Sequence, residues 1–543
     1  MKKNYIEKAR IKHGNIVYWG MGYICQCCLR CYPEINPLFF VDSYSTYSSY
    51  ENRAVKRPEE ISNWIDYYVI VTVKAEEAKI KIQRYLEKKG LIKGQNFSVY
   101  DEFFSCSDIS LETSVCLAEQ YKKEYLNAVN PTLLQIPLEE IRNHKDCMSF
   151  ISNYAQKQKE KGCIVLTSLQ VMSRELAIKK IKCPIIPMVN ESIERKIKRF
   201  ESICESLTKK ELSWLRELEK RKKVSDKEKE FCNSVNLYYY YKSIIEIIKP
   251  SKIIIWGNWN RESYMWDYLS DIYDIPHGYM EYGWIPGTYQ VDPRGIAGQS
   301  EYAVNPHLFK NIEIDNAYNI KQIKQYVKNK KLDTRTFSNT EADNTALLEM
   351  KKEKKTVFLV GMDDCGMKMN PKNTYWKKYI SSVVESTEEA LFLLVKLCRK
   401  NNWNLIFKPH PKNSVPELGE YSDDVILVKD MQIDRLIELA DVVVSIASAV
   451  DYKALIYGKP LVQLGITGLL GKDCTYSVTE KNGLEEQLVL ALKNGMTGRQ
   501  TENFDRLLQI LLQRYLWDDM SERSLRYGLT IEHDFLEGRT GRE

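Results

Sequence analysis

The sequence lacks the features of a membrane-spanning or exported protein. Its 543 residues contain no stretch of the ~18 consecutive apolar residues that a transmembrane helix needs. The first residues, MKKNYIEKARIKHG, are basic, but no apolar run follows them as in a secretory signal. A composition of 44% hydrophobic and 28% charged residues is typical of soluble globular proteins. We therefore expect a cytoplasmic protein, and the length predicts about three domains.

A strong excess of charge of one sign is also missing. The net charge of +6 is far below that of a dedicated nucleic-acid-binding protein, so no nucleic-acid partner is expected. Acidic and basic residues alternate at helical spacing over residues 194–231. Such runs are usually solvated helix faces. The alternative is a basic face in peripheral contact with the inner face of the cell membrane.

The cysteines do not form a metal-site pattern. The densest cluster, Cys25, Cys27, Cys28 and Cys31, has no second Cys/His pair at zinc-finger spacing. In a helix, the last three of these would lie near one another as small apolar residues facing a sheet. We expect packing and no metal site here.

The N-terminal region predicts a small Rossmann-like module over residues 1–108. The apolar strand NIVYWGMG runs into Gly20 and Gly22, and the strands PLFFVDS and YYVIVTV follow in the Rossmann order. The dinucleotide fingerprint GxGxxG is incomplete because Cys25 stands in place of its last glycine. We therefore expect a nucleotide-binding fold without a bound nucleotide.

The rest of the chain predicts two further α/β domains. Residues 109–335 contain helical patterns with apolar strands at CIVLTS, CPIIPMV and SKIIIWGN. A polar linker is expected at 329–345. Residues 346–543 alternate buried apolar strands with amphipathic helices, which predicts a doubly wound parallel sheet. The predicted fold is a GT-B type pair of Rossmann-like domains preceded by the small module.

One candidate binding segment is LIFKPHPK, since ligands of open α/β sheets bind beyond the carboxyl ends of the strands. His410 follows a predicted strand on a turn held by Pro409 and Pro411. Lys408 and Lys412 flank it, so the turn offers an imidazole and two cations to an anion. A lone histidine is usually structural, but its place between two prolines at a strand end favours binding.

A second candidate is VVVSIASAVDYKALIYGKP. Ser448 is expected to cap a helix starting near Ala449, and Ser445 adds a hydroxyl. The free N–H groups at the start of a helix favour an anion such as phosphate. Simple capping is the alternative, and the two roles are compatible.

The third candidate is HGYMEYGWIPGT, residues 277–288, which we expect to be a flexible loop. It places His277, Glu281 and Trp284 among three glycines and a proline. Gly283 and its neighbours would let the backbone pass close to a sugar. Trp284 could stack on that sugar or belong to the core, and His277 could position the loop.

These segments carry a family resemblance. KPHP, the S-x-x-S strand exit and A-L-x-x-G-K-P resemble the HP and serine motifs of GT-B glycosyltransferases that use CMP-sugars: bacterial sialyltransferases, polysialyltransferases and capsule-type Kdo transferases. Glu281 before Gly283 is similar to their acidic residue preceding a glycine. DPRGIAGQS (292–300) is similar to the D/E-x-x-G-x-x-x-S segment of the capsule Kdo transferases. The resemblance covers about residues 250–465.

The resemblance implies a glycosyltransferase whose donor is a CMP-linked acidic sugar such as Kdo or sialic acid. The acceptor would be a bacterial surface polysaccharide or a lipid-linked glycan. Glu281 would be the acid/base or nucleophilic carboxylate. His410 would act in catalysis and, with Ser448, hold the nucleotide phosphate.

Glycosyl transfer needs positive or N–H-rich groups on the departing phosphate. The phosphate-binding set is expected to comprise Lys408, His410, Pro411, Ser445 and Ser448. No metal or other cofactor would then be required. The nearest acidic pair, Asp363-Asp364, is not well placed to bind a metal ion for the reaction.

Two departures leave alternatives open. Lys453 stands where the family often has a glutamate, and Asp451 where a glycine is common, so the residues themselves indicate only a phosphate-bearing donor. One alternative is a polyol-phosphate transferase of the teichoic-acid type, which uses CDP-alcohols. The other is an inactive GT-B-like scaffold of capsule assembly. The joint presence of Glu281, His410 and Ser448 favours an enzyme.

Overall fold

The protein is described by a computed structural model. The described residues are 15–22, 24–25, 28–29, 35–43, 48–73, 76–100, 111–124, 131–136, 163–167, 185–187, 193–220, 226–305, 307, 313–314, 319–329, 353–364, 374–410, 415–429 and 431–518. The chain forms two compact units. The first comprises Met1–Ser110 with Thr167–Asn190, and the second Leu111–Leu166 with Glu191–Glu543.

The first unit contains a mainly parallel sheet with the strand order β3-β4-β2-β1-β5-β6. Its elements are β1 (Ile16–Trp19), β2 (Phe40–Val41), β3 (Ser49–Tyr50), β4 (Arg53–Lys56), β5 (Tyr68–Val71), α1 (Glu76–Lys88) and β6 (Phe97–Val99). β1 pairs in parallel with β2 and β5, and the only antiparallel pair described within this sheet joins β3 to β4. The predicted Rossmann-like arrangement is confirmed.

The first glycine of the incomplete fingerprint has a packing role. Gly20 follows β1 with φ of 107°, a conformation that favours glycine. A Cβ at this position would lie 2.6 Å from Cγ2 of Val73. Gly20 therefore allows the end of β1 to approach the segment that follows β5.

The cysteine cluster packs in the core where it is described. Cys25 and Cys28 are buried beside Tyr18 and Phe40 in the core of this unit. Cys27 and Cys31 lie outside the described residues. Packing is thus confirmed for the first two. Within the described ranges, no group of three His, Cys, Asp or Glu side chains is arranged to hold a metal ion.

The second unit contains two sheets. We call the first the central sheet, and the strands that this unit contributes to it follow the order β19-β12-β11-β10-β7-β8. Its strands are β7 (Thr132–Gln135), β8 (Cys163–Thr167), β10 (Lys252–Trp256), β11 (His277–Tyr282), β12 (Thr288–Asp292) and β19 (Leu516–Asp518), and the short strand β9 (Ile185–Pro187) comes between β8 and β10 in the chain. β7, β8, β10 and β11 are parallel, whereas β12 is antiparallel to both β11 and β19.

The helices around the central sheet largely follow the predicted patterns. They are α2 (Leu111–Glu124), α3 (Ile193–Ser206), α4 (Lys209–Lys220), α5 (Lys227–Ile248), α6 (Arg261–Ile272), α7 (Glu301–Val304) and α8 (Ile320–Asn329). The described parts of the charged run 194–231 lie mainly in α3, α4 and the start of α5, so they are largely helical as predicted. The membrane contact of this run stays a prediction. β7 was not predicted, because its four residues are too few to show a period. No helix in the described part of the chain is long and apolar enough to cross a bilayer.

The prediction of a flexible loop at HGYMEYGWIPGT is wrong. Residues 277–282 form β11, which pairs with β10 on one side and β12 on the other. Tyr279 and Met280 point to opposite faces of the sheet, and both are buried. Backbone hydrogen bonds to two neighbours and packing on both faces hold this segment as a strand.

The C-terminal sheet has the strand order β15-β14-β13-β16-β17-β18, all in parallel pairs. Its strands are β13 (Thr356–Val360), β14 (Asn404–Lys408), β15 (Ile426–Leu427), β16 (Val442–Ser445), β17 (Leu461–Gln463) and β18 (Tyr476–Ser477). The associated helices are α9 (Thr374–Tyr379), α10 (Thr387–Asn401), α11 (Ile433–Leu439), α12 (Val450–Ile456), α13 (Leu484–Asn494) and α14 (Gly498–Arg514). In chain order this is 3-2-1-4-5-6, the doubly wound order. The predicted α/β fold with a GT-B type pair of Rossmann-like domains is confirmed.

The segments around the two sheets of the second unit pack closely through glycines. A Cβ on Gly298 would lie 1.8 Å from the carbonyl oxygen of Tyr379. A Cβ on Gly468 would lie 1.7 Å from Cε1 of Tyr302, whose ring is fully buried. Both contacts join a segment after β12 to a segment of the C-terminal sheet. Gly298 belongs to DPRGIAGQS, so part of that motif serves this close packing.

Candidate functional site

The topology of the C-terminal sheet points to one place for a ligand. The strand order reverses between β13 and β16, and ligands of such sheets bind beyond the carboxyl ends of the strands at this point. Gly361 follows β13 there, and its N–H donates to the carbonyl of Lys408 at 2.9 Å. A Cβ on Gly361 would lie 2.7 Å from the backbone nitrogen of His410. Because Gly361 has no side chain, His410 just after β14 can lie next to the end of β13.

His410 and Lys408 differ in exposure. His410 is half-buried just beyond β14. Lys408 is only 9% exposed, and its ammonium donates to the carbonyl of Lys429 at 2.5 Å. Lys408 can therefore act on an anion through its charge from within the protein, while its ammonium is held by a backbone oxygen. Pro411 and Lys412 lie outside the described residues.

The serine segment, residues 445–448, begins at the end of β16, which neighbours β13 in the sheet. Ser445 ends β16, is fully buried, and pairs in register with Val360 of β13. Ser448 does not occupy the predicted N-cap, because α12 begins at Val450 and Ala449 precedes it without a side-chain cap. The Ser448 hydroxyl instead accepts a hydrogen bond from the N–H of Val450 at 3.2 Å.

Asp451 is a buried carboxyl group beside these serines. It is 0% exposed, and burial raises its pKa to about 7. The hydroxyl of Ser445 and the N–H of Ser448, 3.4 Å from Oδ2, partly offset this effect because they stabilise the ionised form. The charge next to the serine segment therefore changes near neutral pH.

Lys453 has a partner within the protein. Its side chain is 4% exposed, and Nζ lies 2.6 Å from a carboxylate oxygen of Asp434. The hydroxyl of Tyr457 also donates to Asp434, at 2.7 Å. Lys453 thus forms an ion pair that joins α12 to Asp434 of α11.

Glu281 lies at the carboxyl end of β11. It is half-buried and directly opposite Gln290 of β12, and its Oε1 accepts a hydrogen bond from the N–H of Tyr282 at 2.9 Å. Gly283 starts the turn to β12, where a Cβ would lie 2.1 Å from Oγ1 of Thr288. Gly283 is therefore explained by the tight turn itself.

His277 lies at the opposite, amino end of β11. Nε2 is 2.9 Å from Oδ1 of Asp267 on α6, and Nδ1 is 3.3 Å from the carbonyl oxygen of Ile275. Its side chain is only 6% exposed. Glu281 is four positions further along the strand, which corresponds to about 13 Å. His277 connects β11 to α6 and does not lie beside Glu281.

Trp284 joins two of the predicted segments. Its ring stacks on Tyr452 of α12, with centroids 4.3 Å apart and planes 14° apart. It also stacks on Tyr515 at 5.9 Å. The ring is half-buried against the core. Trp284 therefore links the turn after Glu281 to the helix after Ser448.

Asp292, the acid of DPRGIAGQS, has an organising role. Its Oδ1 accepts hydrogen bonds from the N–H groups of Arg294, Gly295 and Glu301 at 2.8, 3.2 and 2.9 Å. Its Oδ2 accepts from the hydroxyl of Tyr515 at 2.8 Å. Burial raises the pKa of Asp292 to about 6 despite these bonds. Asp292 thus fixes the backbone of the loop at residues 294–295 and the start of α7.

Asp364 of the acidic pair also has a local role. Its two carboxylate oxygens accept from the N–H and the hydroxyl of Thr387, each at 2.9 Å, at the start of α10. Such a carboxylate stabilises the first turn of a helix. This arrangement accounts for Asp364 without a metal.

A polar cleft of about 260 Å³ was missed by the sequence reasoning. One wall is α6, which contributes Ser263, Asp267 and Asp271. These residues recur every four positions and so share one helix face. That polar stripe was a signal in the sequence that could have found the cleft. Tyr279 of β11 contributes to the cleft as well.

Comparisons with known proteins give similarity of structure only. No family model and no curated protein matches the chain. Solved structures that match include the Thermosulfurimonas dismutans KpsC beta Kdo 2,7 transferase, at 19% identity over 44% of this chain and 74% of that chain, with a TM-score of 0.29. The Neisseria meningitidis UDP-GlcNAc 2-epimerase bound to UDP-GlcNAc matches at 12% identity over 69% and 93%, with a TM-score of 0.32. The wall teichoic acid polymerase TagF matches at 12% over 80% and 93%, with a TM-score of 0.26.

Proposed function

We propose that the protein is a metal-independent glycosyltransferase that uses a CMP-linked acidic sugar such as Kdo or sialic acid. The acceptor is a bacterial surface polysaccharide or a lipid-linked glycan. In this proposal residues 109–335 form the acceptor domain and residues 346–543 the nucleotide-donor domain. Transfer takes place at the cytoplasmic face of the membrane, and no cofactor other than the donor is used.

One observation carries the proposal. Three chemically suited groups lie at or just beyond the carboxyl ends of strands: the carboxylate of Glu281 on the central sheet, and His410 and Ser448 on the C-terminal sheet. The Trp284–Tyr452 stack joins the segments that carry the first and the last of these. A carboxylate on one sheet and phosphate-binding groups on the other are what nucleotide-dependent glycosyl transfer requires.

The proposed mechanism assigns each group a step. An acceptor hydroxyl attacks the anomeric carbon while Glu281 takes its proton. The bond from that carbon to the phosphate oxygen breaks, and CMP leaves. His410, the buried charge of Lys408 and the hydroxyl of Ser448 stabilise the negative charge that develops on the phosphate.

Donor binding is the direct test. Cytidine nucleotides at 100 times their Kd should stabilise the protein by about 2.7 kcal/mol. UDP- and GDP-linked sugars at the same concentration serve as controls in a thermal unfolding assay. Product analysis then separates sugar transfer from polyol-phosphate transfer with a CDP-alcohol. Absence of stabilisation by any cytidine nucleotide would contradict the proposal.

A further inference from the structure

We propose that the polar cleft beside α6 binds one neutral, polyhydroxylated sugar unit of the acceptor. This inference rests on the proposed function and adds the location and charge class of the acceptor site. The cleft of about 260 Å³ is slightly smaller than the roughly 300–1,000 Å³ of most small-molecule sites. It therefore suits a single ring and not a nucleotide sugar.

The walls of the cleft come from segments of both sheets of the second unit. Tyr264, Asp267 and Asp271 line it from α6, and Tyr379 lines it from α9. The backbone of Gly298 meets the carbonyl of Tyr379 directly, so the contact between these segments also shapes the cleft. Phenol and carboxylate groups can hydrogen bond to hydroxyls, and tyrosine rings offer flat apolar surface to a sugar ring.

Asn258 supplies an acceptor that has no partner within the described structure. Its side chain lines the cleft, the residue is 5% exposed, and Nδ2 donates to Oε1 of Gln299. The other amide atom, Oδ1, is buried and accepts no hydrogen bond from the described residues. Buried polar atoms are nearly always hydrogen-bonded in folded proteins. Because this oxygen has almost no accessible surface, a small rotation of the amide is needed before a ligand hydroxyl in the cleft can bond to it.

The charges of the cleft select against an anion. Asp267 and Asp271 contribute two carboxylates, Arg294 contributes one guanidinium, and His277 Nε2 lies 2.9 Å from Oδ1 of Asp267. Even with a protonated His277, these side chains together with Glu301 carry more negative than positive charge. Arg294 also lies 3.4 Å from Glu301, which offsets its charge further. A phosphate or a sugar carboxylate would be repelled by this excess of negative charge. The occupant is therefore a neutral sugar, and the donor is placed elsewhere.

The cleft lies within reach of the proposed base. Tyr279 lines it, and Glu281 is two residues further along β11 on the same face of the sheet. Two residues of strand correspond to about 6–7 Å. A sugar ring beside Tyr279 can thus present a hydroxyl toward Glu281.

The experiment measures sugar binding to the full chain by isothermal titration or saturation-transfer NMR. The probes are methyl glycosides of glucose, galactose and N-acetylglucosamine, with free Kdo and sialic acid as acidic comparisons. Asp271→Asn and Tyr379→Phe should each weaken binding of the preferred neutral glycoside about tenfold, because each removes one strong hydrogen bond. Asp274→Asn, an exposed carboxylate outside the cleft, should leave binding unchanged.

The outcomes separate this inference from the proposed function. Stabilisation by cytidine nucleotides without binding of any neutral glycoside would overturn the cleft assignment alone. Preferential binding of the acidic sugars would also overturn it. So would a loss of glycoside binding in Asp274→Asn as large as that in Asp271→Asn. Binding of a neutral glycoside that depends on Asp271 and Tyr379, without any cytidine nucleotide binding, would support the cleft and contradict the proposed donor.

Discussion

At the scale of single residues, the most informative side chain is Glu281. It is half-buried at the end of β11, where it accepts a hydrogen bond from the backbone N–H of Tyr282. That bond fixes the orientation of the carboxylate. A carboxylate held in one orientation near the acceptor hydroxyl is what the proposed proton transfer requires.

Glu281→Gln should reduce the transfer rate by at least ~10²-fold, because the amide cannot accept the proton. Binding of a cytidine nucleotide should be unchanged, since the shape of the side chain is kept. Steady-state kinetics and thermal stabilisation measure the two effects. Glu228→Gln, an exposed carboxylate on α5, is the matched control and should behave as the unmodified protein. Normal turnover in Glu281→Gln would contradict the assignment.

At the scale of elements, the start of α12 contains the most unusual electrostatics. Asp451 is fully buried there beside Ser445 and Ser448. Lys453, on the same helix, is neutralised by Asp434. The helix therefore holds one compensated charge and one carboxyl group that ionises near pH 7.

The raised pKa of Asp451 makes stability depend on pH. Between its ordinary value of 3.8 and about 7, the folded state retains a proton that the unfolded state has lost. The stabilisation is fully present below pH 4 and is lost as the pH rises toward 7. The full effect is on the order of 4 kcal/mol.

Asp451→Asn should flatten this pH dependence in urea denaturation between pH 4 and 8. Asn does not ionise, so at the upper end of that pH range the variant should be more stable relative to the unmodified protein than it is at pH 4. Asp423→Asn, at an exposed position, is the control and should leave the slope unchanged. A slope unaltered in Asp451→Asn would show that Asp451 does not titrate in this window.

At the scale of the whole molecule, the second unit depends on close contacts between segments of its two sheets. Tyr302 packs against Gly468, and its hydroxyl lies 3.2 Å from that of Tyr452. The C-terminal strand β19 also pairs with β12, so the end of the described chain belongs to the central sheet. The two sheets thus share one apolar core, which includes Ile285 and Phe358.

Gly468→Ala should lower the free energy of unfolding by about 2–3 kcal/mol, because its Cβ overlaps the buried ring of Tyr302. Gly498→Ala is the matched control. Its Cβ meets nothing within 4 Å at the start of α14, so the change should be neutral or stabilise by up to ~1 kcal/mol. Urea denaturation compares the two variants. Equal stability of both would contradict the close packing at Gly468.

Much of the secondary structure was predictable because it depends on local patterns. The alternation of apolar strands and amphipathic helices in the C-terminal half predicted β13, β14, β16 and β17 close to their observed positions. The segment at β11 was predicted as a loop because its glycines suggested flexibility. Pairing with two neighbouring strands overrode that local preference.

The sequence by itself determined the α/β class and placed His410 and Ser448 after strands, because period and strand length are local properties. It did not place Glu281 at the end of a strand, because that segment was predicted as a loop. Only the tertiary structure decided what these residues contact. The stacking of Trp284 on Tyr452, the ion pair of Lys453 and the polar cleft beside α6 all join residues distant in the chain. Such contacts depend on the path of the backbone between them, which no short motif encodes.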